Sequence, residues 1–374
     1  MDNQLKSVCK ENMCGGCMAC VDACPKNAIS IQDNKRSLNA VIDTDKCVDC
    51  GLCAKLCQVN NTPALRKPIS WYQGWASDKV REGGSSGGLA SAIIDSFDGV
   101  VCSCVFSEGK FVFSFDQEKS KYAGSKYVKS NPSGVYKAIK DKLLGGEKVL
   151  FIGLPCQCSA VKNYVKDTSN LYLIDLICHG TPSSKVLEDY LSEAGLSLSD
   201  LEDIRFRCKI GADMAGYKRT TPKRIKDFYT HAFLTGLSYT DNCYQCSYAR
   251  LERVSDLTLG DSWESDLGDD ASDKGISLIL CQTDKGRKLL DAADVTLVDV
   301  DLDKAVAGNT QLRHPSIEKK ERVAFFEALD NGFEAAIKAA DKSYYVKCGR
   351  KKLLIKLGLM NGDVLASRFG ISYK

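Results

Sequence analysis

The chain has 374 residues, of which 44 % are apolar and 26 % charged, and a formal net charge of +3. These ordinary globular values argue against disorder and give no electrostatic case for a nucleic-acid partner. No run approaches the ~18 unbroken apolar residues of a membrane helix, and Met1-Asp2-Asn3-Gln4 lacks the basic and apolar stretches of a secretory signal, so a cytoplasmic protein without a membrane span is expected.

Cysteine departs from this pattern, with 19 residues, an odd number. In a chain without an export signal, clustered cysteine points to metal ligation or redox chemistry rather than disulfides. Cys14, Cys17, Cys20 and Cys24, followed by Pro25, and then Cys47, Cys50, Cys53 and Cys57, both follow C-x2-C-x2-C-x3-C. That is the spacing of a bacterial ferredoxin with two [4Fe–4S] clusters, since soft thiolates suit iron–sulfur cubanes. Three sulfurs wrap one cubane from a tight loop, with Gly15, Gly16 and Gly51 relieving backbone crowding. The fourth cysteine is expected at the start of a helix, reaching the other cluster. Ligation is therefore read as Cys14, Cys17, Cys20 with Cys57, and Cys47, Cys50, Cys53 with Cys24. Zinc is the rival reading. Cys9 falls outside the pattern and reads as a spare thiol. Ala28–Asp43 alternates enough for two short strands. Residues 1–66 carry eight Lys/Arg against seven Asp/Glu, a balance that fits an embedded relay better than a freely diffusing carrier.

Pro63, Pro68 and the Trp-rich stretch Ile69–Lys79 mark a boundary, giving a cluster-binding domain at 1–66 and a larger domain at 67–374. In the latter, Ser91–Phe97 continues a helix begun after Gly88. Val100–Phe106 and Phe111–Phe115 read as a hairpin turning at Glu108-Gly109-Lys110. Lys148–Ile152 and Leu171–Leu176 are apolar runs expected to be buried strands, with Gln157–Lys166 a helix between them. Leu257–Leu259 and Ser277–Cys281 add strands, Lys285–Ala292 a helix, and Ile317–Ala340 one or two helices. Strand and helix alternate incompletely, so the expectation is mixed α/β (α+β), a small ferredoxin-like domain followed by a larger mixed domain.

Four features here bear on chemistry. Gly83-Gly84-Ser85-Ser86-Gly87-Gly88 opens a helix and could cradle a phosphate or a flavin; a flexible linker is the alternative, because no Rossmann or Walker fingerprint occurs. Cys156 and Cys178 each follow a strand, and Cys243 and Cys246 form a C-x2-C. Together they could ligate a third [4Fe–4S] cluster, or be buried structural thiols. Asp256–Asp273 holds seven acidic and no basic residues around Gly260-Asp261-Ser262-Trp263, a site loop or a solvated face. The tail Lys347–Lys374 carries seven Lys/Arg against Asp363 and reads as a solvated amphipathic helix or a dock for an acidic partner. His179 is read as orienting the loop at Cys178, with a catalytic acid as the alternative, and His231 and His314 as surface or core spares.

The ordered set Ser86-Gly87-Gly88, Gly124-Ser125-Lys126-Tyr127-Val128, Gly153-Leu154-Pro155-Cys156-Gln157, Asp175-Leu176-Ile177-Cys178-His179-Gly180, Cys243-x2-Cys246 and Ser255-Asp256-Leu257-Thr258-Leu259-Gly260-Asp261 resembles the coenzyme F420 hydrogenase/dehydrogenase beta-subunit family, over roughly residues 10–300. The resemblance implies a flavoprotein that holds FAD and passes electrons between flavin and iron–sulfur clusters. By position it implies flavin contacts at Ser85, Ser86, Gly87, Gly88, Gly124, Ser125, Lys126 and Tyr127, with Lys126 near the phosphates or the ring. It implies cluster ligands at Cys156, Cys178, Cys243 and Cys246. Cys208 stands where relatives often carry Asp, either a substitute ligand or drift. Cys102, Cys104, Cys158, Cys281 and Cys348 have no motif partner.

The expected function is an iron–sulfur flavoprotein oxidoreductase. Electrons would pass between a ferredoxin or other redox carrier, the clusters and FAD, where an organic substrate or an F420-like deazaflavin reacts. The alternative is a non-catalytic electron-transfer subunit wired to a partner redox subunit. Clusters near the surface imply oxygen sensitivity and an anaerobic setting. No catalytic residue is identified from sequence.

Overall fold

The structure is a computed structural model that describes residues 6–116, 118–208, 218–219, 227–359 and 369–373. In the cysteine-rich region, α1 (Ala19–Ala23) and α2 (Leu52–Leu56) flank an antiparallel pair, β1 (Ile29–Asp33) and β2 (Leu38–Ile42), with Ile29 opposite Ile42. The body begins with β3 (Ser70–Ala76), α3 (Asp78–Gly83), α4 (Leu89–Ser96), β4 (Val100–Ser107), β5 (Lys110–Ser114), α5 (Val135–Leu144), β6 (Val149–Gly153), α6 (Pro155–Tyr164), β7 (Leu171–Leu176) and α7 (Ser184–Ser192). It continues through β8 (Leu201–Arg205), β9 (Lys218–Arg219), α8 (Phe228–Leu234), β10 (Leu257–Asp261), α9 (Asp269–Lys274), β11 (Ser277–Cys281), α10 (Asp284–Ala292) and β12 (Val295–Val298). The last elements are α11 (Leu302–Gly308), α12 (Glu321–Leu329), α13 (Phe333–Ala340), α14 (Lys342–Lys356) and β13 (Gly370–Tyr373). None of the described helices is long and apolar enough to cross a membrane.

An eight-stranded mixed sheet of order β12-β3-β11-β10-β7-β6-β4-β5 organises the body. Its central strands β10, β7, β6 and β4 run parallel, and the flanking pairs are antiparallel. Covered on both faces, β6 is buried at every position, which is why it reads as an unbroken apolar run. Val149 and Phe151 face Tyr136, Ile139 and Val161, while Leu150 and Ile152 face Leu89, Ile93 and Leu289. Burying each such side chain contributes about 1.5–3 kcal/mol. The β4–β5 hairpin turns on Glu108 and Gly109, at φ 50° and 74°, the left-handed pair that a two-residue hairpin loop requires.

A third layer packs around Phe206, Tyr229, Phe325, Phe333 and Phe369. The stretch read as one or two helices is two: α12 closes at Asp330, and Gly332, at φ 110°, starts α13. The tail is helical through α14, where Cys348 is the one buried position. It then returns as β13 between β8 and β9, a three-stranded sheet with no forewarning in the sequence pattern.

The cysteine-rich region is tied into the body along its length. Arg66 and Arg253 exchange backbone hydrogen bonds at 2.7 and 2.9 Å. Asp22 accepts from the Gly134 and Tyr136 N–H groups at 2.7 and 3.2 Å, and Tyr136 Oη donates to the Cys17 carbonyl. Lys35 lies 3.0 Å from both Asp189 and Asp330.

Candidate metal centres

The two N-terminal loops are built alike. α1 begins after Met18 (φ 61°) and α2 after Gly51 (φ 70°), so each loop reverses sharply between its second and third cysteines and then makes one helical turn. The fourth cysteine therefore closes the helix rather than starting it, contrary to the sequence expectation: Cys24 and Cys57 are the C-cap residues. Pro25 blocks continuation past Cys24.

Cys14, Cys17, Cys20 and Cys57 are all buried and form one electrostatic group. Burial pushes the Cys17 and Cys20 thiols up, and the nearby Cys14 and Cys57 sulfurs push further. Cys9, read from sequence as a spare, is buried against this group; its S–H pulls the Cys14 and Cys57 thiols down. Cys24, Cys47, Cys50 and Cys53 line a cavity of about 30 Å³ together with Pro25, Ile29, Ile42 and Leu52. This group is shallower, with Cys50 exposed beside exposed Val48 and Leu52. Each group thus contains the cysteine expected to cross over from the other loop.

The third set assembles at the carboxyl edge of the parallel strands, where open α/β sheets hold their ligands. Cys156 follows β6 in the first turn of α6, and Cys178 follows the neighbouring β7. The segment carrying Cys243 and Cys246 lies over the latter: Thr240 N–H donates to the Thr181 carbonyl at 3.1 Å, and Thr240 Oγ1 is 3.5 Å from Cys243 Sγ. Burial raises the Cys156 and Cys178 thiols, with Cys243 and Cys246 adding to both. A Cβ on Gly15 would lie 3.9 Å from the Cys156 Cβ, so the first loop abuts the third set directly.

Residues outside the sequence motifs complete this region. Lys129 Nζ donates to the Gly15 carbonyl and to Thr181 Oγ1, both at 3.2 Å. Burial opposes its charge, but the sulfurs of Cys243, Cys156, Cys14 and Cys178, as thiolates, raise its pKa overall. Asp175 and Arg253, 0 % and 1 % exposed, form a buried pair with Nη1 3.9 Å from Oδ1. Arg253 Nε and Nη2 and both Asp175 oxygens have no hydrogen-bond partner among the described residues. Arg207 Nη1 is 2.5 Å from Asp261 Oδ2, with the guanidinium over the Trp263 ring, and burial lowers the pKa of the nearby His179. The acidic stretch is thus partly structural: Asp256 Oδ2 accepts from the Leu173 N–H at 2.9 Å, and its Oδ1 from Thr283 Oγ1 at 2.6 Å. His231 is a core histidine, stacked on Tyr344 and 3.1 Å from Asp341 Oδ2. Cys208 is buried beyond β8.

The two segments expected to touch flavin also meet, through the Ser125 N–H donating to Ser85 Oγ at 2.8 Å. No side chain caps α4, which follows Gly88 at φ 78°, leaving first-turn N–H groups suited to an anion. Other members of the set are engaged with the protein. Ser86 Oγ donates to the Ile276 carbonyl at 3.0 Å. A Cβ on Gly87 would come within 2.6 Å of the Gly74 carbonyl. Lys126 Nζ donates to the Tyr122 and Ala123 carbonyls at 2.9 and 3.0 Å, and the Tyr127 ring stacks on Phe233 at 4.1 Å.

The all-sulfur donor sets suit iron–sulfur cubanes. Buried thiols crowded together resist ionisation unless a cationic centre compensates them, and a cubane's irons do so. Of the segments expected to touch flavin, the α4 N-terminus is suited to an anion, whereas Ser85 and Ser125 bond each other and a Cβ on Gly124 would lie 2.7 Å from Arg205 Nη1. Among the described residues, no three His, Cys, Asp or Glu side chains converge as a single metal ion would require.

Residues 146–301 match the family model for the C terminus of the coenzyme F420 hydrogenase/dehydrogenase beta subunit, and residues 13–61 match the 4Fe-4S dicluster domain. No curated protein matches the chain. Among solved structures, a chain of the xenon-derivatised F420-reducing [NiFe] hydrogenase complex from Methanosarcina barkeri is similar at 15 % identity, covering 80 % of this chain and 95 % of that one, with a TM-score of 0.42.

Proposed function

Because the chain joins a 4Fe-4S dicluster domain to the C-terminal domain of the coenzyme F420 hydrogenase/dehydrogenase beta-subunit family, we propose that it is an iron–sulfur oxidoreductase subunit with three [4Fe–4S] sites on one path. Cys14, Cys17, Cys20 and Cys57 would hold the first, Cys24, Cys47, Cys50 and Cys53 the second, and Cys156, Cys178, Cys243 and Cys246 the third. Ser85–Gly88 and Gly124–Tyr127 would hold FAD. Bound cubanes supply one-electron carriage, and a bound flavin exchanges single electrons for a pair or hydride.

The observation that carries this reading is the abutment of Gly15 on Cys156, which leaves the third set next to the first. The chain's own residues divide the work. Exposed Cys50, Val48 and Leu52 offer an approach for a ferredoxin-type carrier or a partner redox subunit, while the buried Cys17 and Cys20 keep water from the middle site. Arg207, Asp261, His179 and Trp263 stand beside Cys178, where an organic substrate or a deazaflavin would react. A second reading, an electron-transfer subunit without its own substrate, draws support from the engagement of Ser86, Gly87 and Lys126 with the protein itself.

Anaerobic purification with counts of iron, acid-labile sulfide and extracted flavin decides between them. About twelve iron, about twelve sulfide and about one FAD per chain support the oxidoreductase. About eight iron with flavin removes the third cluster. Three clusters without flavin leave the electron-transfer subunit, and zinc in place of iron overturns both.

A further inference from the structure

Lys129 belongs to no cysteine motif, yet its ammonium lies between two cysteine sets. One of its hydrogen bonds goes to the carbonyl of Gly15, inside the loop from Cys14 to Cys17, at 3.2 Å. The other goes to Thr181 Oγ1, three residues past Cys178, also at 3.2 Å. The backbone holds it there, since the Lys129 N–H donates to the Pro182 carbonyl at 2.9 Å. The thiols facing the ammonium are Cys14 from the first set and Cys156, Cys178 and Cys243 from the third. The second set has a different cation beside it, Lys6, which feels the charge of Cys47 and Cys53.

We propose that Lys129 is a positioning residue, one fixed positive charge shared by the Cys14/Cys17/Cys20/Cys57 site and the Cys156/Cys178/Cys243/Cys246 site, which raises the reduction potentials of both together. The inference rests on the cluster assignment above. Adding an electron to either site makes it more negative, and a cation in a weakly screened interior stabilises the added charge. Because the ammonium touches both loops, it lifts both potentials. A lysine suits this role as a compact point charge on a flexible stem.

The test is a spectroscopic redox titration of the anaerobically purified full chain and of K129M and K129R, with iron counts. In K129M the reduced-to-oxidised ratio of two couples at fixed poise falls about tenfold, which is about 59 mV for a one-electron couple. The third couple, that of the Cys24/Cys47/Cys50/Cys53 site, stays in place as an internal control. K129R, which keeps the charge, stays close to the unmodified protein. Movement of one couple alone, of all three equally, or of none overturns the sharing, as does a K129R shift as large as that of K129M. If the unmodified chain shows two couples and about eight iron, the third-cluster assignment falls and the inference with it. Three couples that ignore K129M sink the inference alone. If K129M does not hold iron, T181V carries the test: it keeps the charge, removes one anchor, and is expected to move the third-site couple while the control couple stays fixed.

Discussion

The outer and inner cysteine sets differ in how they are built. Cys24, Cys47, Cys50 and Cys53 come from two short loops beside exposed apolar side chains, and the neighbouring ion pair between Lys6 and Asp49 is open to solvent. Cys156, Cys178, Cys243 and Cys246 come from strand ends and a distant loop, far apart in sequence, and the ion pair beside them, Asp175 with Arg253, is sealed from water. Local spacing suffices for the outer set, whereas the inner set exists only once the sheet has formed. The outer set has a cysteine open to solvent, Cys50, whereas the inner four are half-buried.

The largest effect that tests this contrast is on metal content. Cys178→Ser is expected to lower the iron count by about four per chain, as measured after anaerobic purification, with the outer clusters' visible absorption retained. An unchanged count removes the inner set as a cluster site. On exposure to air the outer absorption should bleach first, and simultaneous loss would erase the contrast in burial.

Next in size is the ion pair. Arg253→Met leaves Asp175 buried without its counter-charge and should cost about 3 kcal/mol in denaturant unfolding, with Asp175→Asn in the same chain restoring most of it. Lys6→Ala, beside the outer set, should leave the melting temperature unchanged, because exposed pairs contribute little.

A smaller effect is expected in alkaline solution. Burial lowers the pKa of Lys126 to about 8 from 10.5, opposed by Cys104 and Asp203 and assisted by Arg205. Between those values the unfolded chain binds more protons at this residue than the folded one, so its contribution to stability rises with pH. The unmodified protein should gain about 1 kcal/mol per pH unit relative to Lys126→Met across that window, read from unfolding midpoints at several pH values. A parallel pH dependence in the two proteins rejects the shift. Smallest of all, Cys9→Ala should leave the iron count intact, since Cys9 lies against Cys14 and Cys57 outside the four-cysteine set; loss of about four iron would make it a ligand.

The parts of the molecule legible in sequence are those whose physics is local or uniform. The doubled C-x2-C-x2-C-x3-C spacing marks out two compact loops, and β6, β7 and β11 read as apolar runs because they are covered on both faces. β3 escaped notice because Gln73 and Gly74 interrupt its pattern. Both have tertiary reasons: Gln73 Oε1 accepts from the Ser262 and Ser265 hydroxyls, and a Cβ at position 74 would lie 2.3 Å from the Thr296 carbonyl. The β8–β13–β9 sheet pairs residues from distant parts of the chain, as at Ile371 with Ile204, and no spacing rule reaches that far. Lys129 and Arg253 belong to no sequence motif, because charge in a sequence carries no record of what folds over it. The helix-closing positions of Cys24 and Cys57 were misread, although Pro25 was there to indicate the first.

The early loops and their late anchors set an order of assembly. Residues 14–17 emerge from the ribosome long before the segment with Cys243 and Cys246 that lies over Cys178, and Lys35 must wait for Asp330. Because Gly15 rests on Cys156, closing the first loop also places it against the inner set. Assembly therefore has an order: the two amino-terminal sets are complete once residue 57 is made, while the inner set waits for Cys243 and Cys246.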